Sequence, residues 1–293
     1  MSLSKSLSLF LKGMAMGAAD VVPGVSGGTI ALITGIYTEL LDAISQFSSR
    51  LIPAIRKGGI VKAAKALPWK FLITLFAGIA TSVLTLAKLI SYLLQAYPIL
   101  LWSFFLGLII GSILLIGKKI KLSVSLSVAV GIIGFLAALG VGNLPAQESN
   151  EQLYYFFISG VIAICAMILP GISGSFILVI LGSYEPILNA VHERNIKIIA
   201  VVGAGAIVGL LSFSRVLKWL FSRYPNGMLA LMTGFITGSI PAVWPWKNST
   251  NKPIYFPEFT AENQLIPAFL FVLVGFGLIL GLDKWSEKIK RFN

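Results

Sequence analysis

The sequence predicts an all-α polytopic membrane protein made of two inverted structural repeats, each a re-entrant helical hairpin followed by three transmembrane helices. Three observations predict it: an apolar composition, a duplicated helix-breaking string and a one-sided placement of lysine and arginine. The 293 residues are 57% hydrophobic and 12% charged, with a mean hydropathy of +0.90, whereas a soluble domain carries about 25% charged residues. The string Pro23-Gly24-Val25-Ser26-Gly27 returns as Pro170-Gly171-Ile172-Ser173-Gly174, each time inside an apolar stretch. Residues 13–44 align without gaps on 160–191 with 12 identities in 32 positions, among them Gly35/Gly182, Tyr37/Tyr184 and Ala43/Ala190. Residues 84–113 align in the same way on 211–240, matching Tyr97-Pro98 with Tyr224-Pro225.

The first repeat covers 1–142, with a hairpin over 6–47 and spans at 71–94, 98–117 and 123–142. An external linker, 143–151, leads to the second repeat, 152–293, with a hairpin over 152–191 and spans at 198–217, 226–246 and 265–282. Each span suits about 30 Å of hydrocarbon. The arms beside each break have roughly 15 residues, about 22 Å as helix, too short to cross. Lys5, Leu7 to Leu11 and Ala18-Ala19 imitate a signal peptide, but the same layout recurs mid-chain before Pro170, so the segment is expected to be structural.

Cation placement decides how the broken segments run. If both are re-entrant and the N-terminus is cytoplasmic, 17 lysines and arginines fall inside and only Arg194, Lys197, Lys247 and Lys252 outside, with Lys88 and Arg215 within helices. If both cross, that asymmetry collapses. Re-entrance gives three spans per half, so the halves insert upside down relative to each other, with both termini cytoplasmic. This is the layout of inverted-repeat transporters, in which a duplicated break points to the binding site. The basic 50–70 stretch, with Ile52, Ile55, Ile60, Val61 and Leu67, is expected to lie on the inner surface. The net charge of +12 is expected to face anionic lipid and not nucleic acid, since no basic-aromatic patch sits on a polar scaffold. The one cysteine, Cys165, excludes an intrachain disulfide and any cysteine-based metal site.

The residue types at the breaks suit an anion. Bare backbone in hydrocarbon is tolerated only where it is buried in protein or lines a polar cavity. Pro23, Gly24, Ser26, Gly27, Gly28 and Thr29 form the first tip, and Pro170, Gly171, Ser173, Gly174 and Ser175 the second. A helix starting at each tip offers unpaired N–H groups, glycine admits a ligand to the backbone, and the serines either cap the helix or donate to a ligand oxygen. Two such ends, one per leaflet, would cradle a negative group at mid-membrane; the bland alternative is a serine-capped kink in a packed bundle. Lys88 and Arg215 match between the halves. They either snorkel to the headgroups or serve as cationic stations. Asp20, whose counterpart is Met167, is either an ion-coupling site or a cap that orients the tip. Glu39 and Glu185 are either solvated or protonate as phosphate binds. His192 reads as solvated. The pairs Gly107/Gly111, Gly234/Gly238 and Gly277/Gly281 are expected to let helices pack closely. Trp102, Trp219, Trp244 and Trp246 suit interfacial belts. No metal or cofactor is expected beyond coupling to a proton or sodium gradient.

The stretch from Met16 to Thr29, with its Asp20-Val21-Val22-Pro23-Gly24-Val25-Ser26-Gly27-Gly28-Thr29 core, and the stretch Ile168-Leu169-Pro170-Gly171-Ile172-Ser173-Gly174-Ser175 resemble the polyprenyl-phosphate transporter (PopT) family. This is a bacterial and archaeal membrane family long held to be a domain of unknown function. The resemblance covers nearly the whole chain. It implies a translocase in the cytoplasmic membrane for undecaprenyl phosphate, the lipid carrier of cell-wall glycan synthesis, recycled from the outer to the cytoplasmic leaflet. Two rivals stand beside it. Undecaprenyl-pyrophosphate phosphatases carry a similar tip, but with an arginine after the serine and a glutamate cluster nearby. Here Gly27 and Gly174 take the arginine's place, which leaves little to neutralise pyrophosphate or act as a base. A carrier or channel for a small soluble anion would share the cradle and ignore the prenyl tail.

Overall fold

The computed structural model describes residues 3–21, 26–47, 67–121, 123–248, 252–255 and 263–291. Pro23 and Gly24 lie outside the described residues, as does most of the basic 50–70 stretch. The elements in order are α1 (Leu3–Asp20), α2 (Gly27–Ile33), α3 (Tyr37–Gln46), α4 (Trp69–Ala96), α5 (Pro98–Gly117) and α6 (Val124–Gly142), then α7 (Leu153–Ile168), α8 (Gly174–Ile180), α9 (Tyr184–His192), α10 (Ile196–Arg223), α11 (Pro225–Gly238), a 3₁₀ turn (Ile240–Val243) and α12 (Leu265–Arg291). Among the described residues, five helices are long and apolar enough to cross a membrane, or six if α8 and α9 count as one bent span. The chain is therefore an all-helical, multi-pass membrane protein. Its long helices expose large apolar side chains such as Ile73, Leu84, Ile133, Ile207 and Phe269, as a lipid-facing surface requires.

Four helix pairs organise the molecule: α1 with α4, α7 with α10, α5 with α12, and α6 with α11. Each pair is drawn together by small residues. Gly13 lies against Leu75 and Gly78, and Gly17 against Ile79 and Ser82, so α1 and α4 advance in the same direction. Gly205 meets Phe157 and Gly209 meets Val161, so α7 and α10 also run parallel. Gly107 and Gly111 pack on α12, while Gly234 and Gly238 pack on α6. Without a hydrophobic drive between helices in lipid, such close backbone approach supplies the van der Waals attraction that holds the bundle. The third expected pair does not take part: among the described residues a Cβ at Gly277 or Gly281 would meet nothing within 4 Å, and Gly275 makes the contact with Phe104 instead.

Two further expectations are corrected. The run 226–246 is not one helix. The α-helix ends at Gly238 and a 3₁₀ turn carries Pro241, because proline lacks an N–H and clashes with the preceding turn. The chain then folds over itself through a bridge between Lys247 and Pro253. The second arms of the hairpins are not continuous either. Each breaks again at a glycine with a left-handed backbone, Gly35 (φ 72°) and Gly182 (φ 63°), a conformation costly for any residue with a Cβ. Helices α8 and α9 meet at 109°. The seven-residue helices α2 and α8 are pinned at these second breaks. Lys12 Nζ donates to the Thr34 carbonyl at 2.8 Å, and at the matching position Ser159 shares a 2.8 Å hydroxyl hydrogen bond with Ser183.

Gly234→Val should overpack the α6–α11 crossing, at about 1–3 kcal/mol, and lower the thermal melting temperature in detergent. In the same measurement Gly277→Ala should leave melting unchanged or raise it, since open space surrounds that glycine and alanine favours helix by about 1 kcal/mol.

Candidate functional site

The two breaks meet inside the bundle. Helix α7 ends at Ile168, and its last carbonyls have no partner within the helix. The first tip supplies partners. Tyr37, itself buried, donates its hydroxyl to the Ile168 carbonyl at 3.1 Å. Ser26 Oγ lies 3.4 Å from the carbonyls of both Met167 and Leu169. In return the Gly171 N–H donates to Thr29 Oγ1 at 3.2 Å. Glycine is needed on both sides of the junction. A Cβ at Gly28 would sit 2.7 Å from the Ile168 oxygen, and Gly171 has φ 85° and a Cβ there would sit 2.7 Å from the Phe235 oxygen of α11.

The first tip is closed around its own carboxylate. Asp20, the last residue of α1, accepts the Gly27 N–H at 2.7 Å on Oδ1. Ser26 caps α2 by accepting the Gly28 N–H at 3.1 Å. Ser26, Gly27, Gly28 and Thr29 are all buried. The amides expected to face a ligand are thus held by the protein itself. The second tip differs. Ser173 makes no capping bond to α8 and is half-buried, Ser175 is exposed, and the two hydroxyls are 2.9 Å apart. Met167 stands where the first half has Asp20, so no carboxylate closes this end. With seven residues each, α2 and α8 have small dipoles, and the chemistry of the tips lies in their local N–H and hydroxyl groups.

The other expected residues lie apart from the junction. Lys88 and Arg215 are exposed on the flanks of α4 and α10. Glu39 and Glu185 are exposed in the first turns of α3 and α9, where a negative charge complements the free N–H groups. A groove of about 440 Å³ runs between α6 and α11 past Val128, Ile132 and Phe135. Thr233 and Thr237 line it but donate their hydroxyls to their own helix, so it presents hydrocarbon. Near the start of α5, Lys247 Nζ sits 4.1 Å from the Trp102 ring centre and donates to the Ala242 carbonyl at 2.7 Å; burial lowers its pKa. Sequence reasoning missed Tyr37 as a junction residue, although its match with Tyr184 was a signal. It also missed the ion pair of Asp42 with Lys218, 2.7 Å, whose counterparts Asn189 and Ser91 carry no charge.

Half-length helices that end against one another among spanning helices define a multi-pass membrane protein with discontinuous helices at its core. Residues 16–255 match a family model described as undecaprenyl phosphate translocase-like. A polyprenyl-phosphate transporter of Vibrio cholerae is 43% identical over 300 residues, covering 96% of this chain and 97% of that protein. One of Staphylococcus aureus is 35% identical over 254 residues, covering 80% of this chain and 85% of that protein. No solved structure matches the chain. The chain belongs to the undecaprenyl phosphate translocase-like family.

Tyr37→Phe removes one hydroxyl and leaves the buried Ile168 carbonyl short of a donor, a loss of about 1–3 kcal/mol. It should lower the melting temperature, whereas Tyr184→Phe, at an exposed ring, should not.

Proposed function

We propose that the chain carries polyprenyl phosphate across the cytoplasmic membrane, from the outer to the inner leaflet, and acts as a transporter and not as an enzyme. Membership of the family and the names of the two relatives support the substrate class. The observation that carries the reading is the junction itself, where two similar helix breaks bond to each other in the interior of an apolar bundle. The two halves are read as inverted repeats with re-entrant hairpins. The parallel course of α1 with α4, and of α7 with α10, supports this: the segments between them have to return to the side on which they began.

In this mechanism the phosphate oxygens accept hydrogen bonds from Ser173, Ser175 and the first N–H groups of α8, while the isoprenoid tail stays in lipid or in the apolar groove beside α11. Gly27, Gly28 and Ser26 form the corresponding station in the first half, with Thr29 shaping it as Pro170, Gly171 and Gly174 shape the other. Asp20 already occupies the Gly27 N–H that a phosphate would use. Substrate therefore engages this tip only when Asp20 withdraws, and protonation of its carboxyl would release it. This makes Asp20 the coupling residue for a proton gradient, with sodium as the alternative ion and Glu39 and Glu185 as secondary acids. Lys88 and Arg215 provide counter-charge along the flanks.

The test is leaflet-sidedness of labelled undecaprenyl phosphate in proteoliposomes, with imposed pH or sodium gradients. Movement should exceed that in protein-free vesicles, respond to the pH gradient, resist competition by inorganic phosphate, and slow at least several-fold in Ser173→Ala and Arg215→Gln. No faster movement than in empty vesicles overturns the transport reading. Wild-type rates in Ser26→Ala, Ser173→Ala, Lys88→Gln and Arg215→Gln alike remove the site assignment. Release of inorganic phosphate from the pyrophosphorylated lipid would place the chain among the enzymes.

A further inference from the structure

The two halves match in sequence but not in packing at one place. Helix α3 lies along α10, and among the described residues the equivalent helices, α9 and α4, have no comparable contact. The same residue types are in opposite states as a result. Tyr37 and Leu41 of α3 are each 1% exposed, whereas their identical counterparts Tyr184 and Leu188 of α9 are 40% and 42% exposed. Tyr37 stacks at 5.3 Å on Phe221 of α10. One turn further, Asp42 pairs with Lys218, which also reaches Ser45 at 3.4 Å. Beside them a cleft of about 280 Å³ is lined by Thr38, Leu41, Asp42, Lys218, Phe221 and Ser222.

In a protein of two inverted halves, one tyrosine–leucine pair buried and its sequence match exposed is the asymmetry that two alternating arrangements would produce. We infer that α3 on α10 is the closed gate of a two-state device, and that α9 and α4 form its open counterpart on the opposite face of the membrane. Lysine and arginine placement puts the closed gate at the cytoplasmic face and the open one outside. In the second state α9 swings onto α4 and buries Tyr184 and Leu188, while α3 leaves α10 and exposes Tyr37 and Leu41. Tyr37 lets go of the Ile168 carbonyl, and Tyr184 takes the matching carbonyl, that of Val21. The bond that joins the tips and the packing of the gate therefore share one residue, so headgroup passage at the junction and gate opening are linked. The ion pair of Asp42 and Lys218 has no charged counterpart, so it biases the resting protein toward the outward-open state. This inference rests on the inverted-repeat transport reading, and its test does not require lipid movement.

The test uses the full chain with Cys165→Ser in liposomes and a short bifunctional thiol reagent. One pair, Asp42→Cys with Lys218→Cys, reports the closed gate; the other, Asn189→Cys with Ser91→Cys, reports its counterpart. The first pair should link at once and the second more slowly, as molecules visit the other state. With the second pair linked, a third cysteine at Leu41→Cys should be labelled by a thiol reagent several-fold faster than without the link. A second pair that never links, or a link that leaves Leu41→Cys labelling unchanged, means a fixed asymmetry and overturns the gate. If a variant fails to insert, Thr38→Cys with Ser222→Cys and Glu185→Cys with Gln95→Cys probe the same two contacts. Linking as expected without movement of labelled polyprenyl phosphate leaves the gate standing and removes the lipid reading; movement without the second link does the reverse.

Discussion

Backbone groups released at a helix break inside hydrocarbon have no water to turn to, and the structure is arranged around that constraint. The C-terminal carbonyls of α7 are answered by Tyr37 and Ser26 from the other half of the chain. The N–H groups at the start of α2 are answered by Asp20 and Ser26. Buried among apolar helices, such a break needs partners of this kind. The tips are therefore at once the weakest points of the helices and the most tightly specified points of the interior.

The four parallel helix pairs serve this junction. Glycines at the crossings bring α1 close to α4 and α7 close to α10, beside the two short helix ends. The paired helices α5–α12 and α6–α11 complete the wall behind them, and Gly171 rests on the backbone of α11 at Phe235. The proposed transport mechanism rests on what the two ends do not share. One is sealed by a carboxylate and the other presents hydroxyls to an open side, so in that mechanism a negative headgroup would meet unequal stations as it moves. Alternation between two such states needs only a difference of a few kcal/mol.

Much of this was legible in the sequence. The duplicated Pro-Gly-x-Ser-Gly string located both tips, the Gly-x3-Gly pairs of α5 and α11 located two helix crossings, and the apolar runs located the long helices. The second break in each hairpin was present as the match of Gly35 with Gly182, but apolar composition continues across it, and hydropathy alone does not register a left-handed residue. The end of α11 was masked in the same way, because Pro241 sits within an apolar run. At the first tip the Gly27 amide is taken by Asp20 and the Gly28 amide by Ser26. Capping was one of the two roles the sequence left open for each of these residues, and spacing alone did not choose between it and a free amide. Lys88 and Arg215 matched in sequence, yet the rotation of α4 and α10 sets them outward and away from the breaks.

The account depends above all on α1–α3 entering and leaving by one face of the membrane, so that the first tip reaches the second from the opposite side. Single cysteines at Lys5 and Gln46, introduced separately into the Cys165→Ser chain, can be probed with a membrane-impermeant thiol reagent in sealed right-side-out and inverted vesicles. Both positions should react only from the cytoplasmic side. Reaction of the two positions from opposite sides would mean that the segment crosses the membrane, and the two-sided junction would not stand.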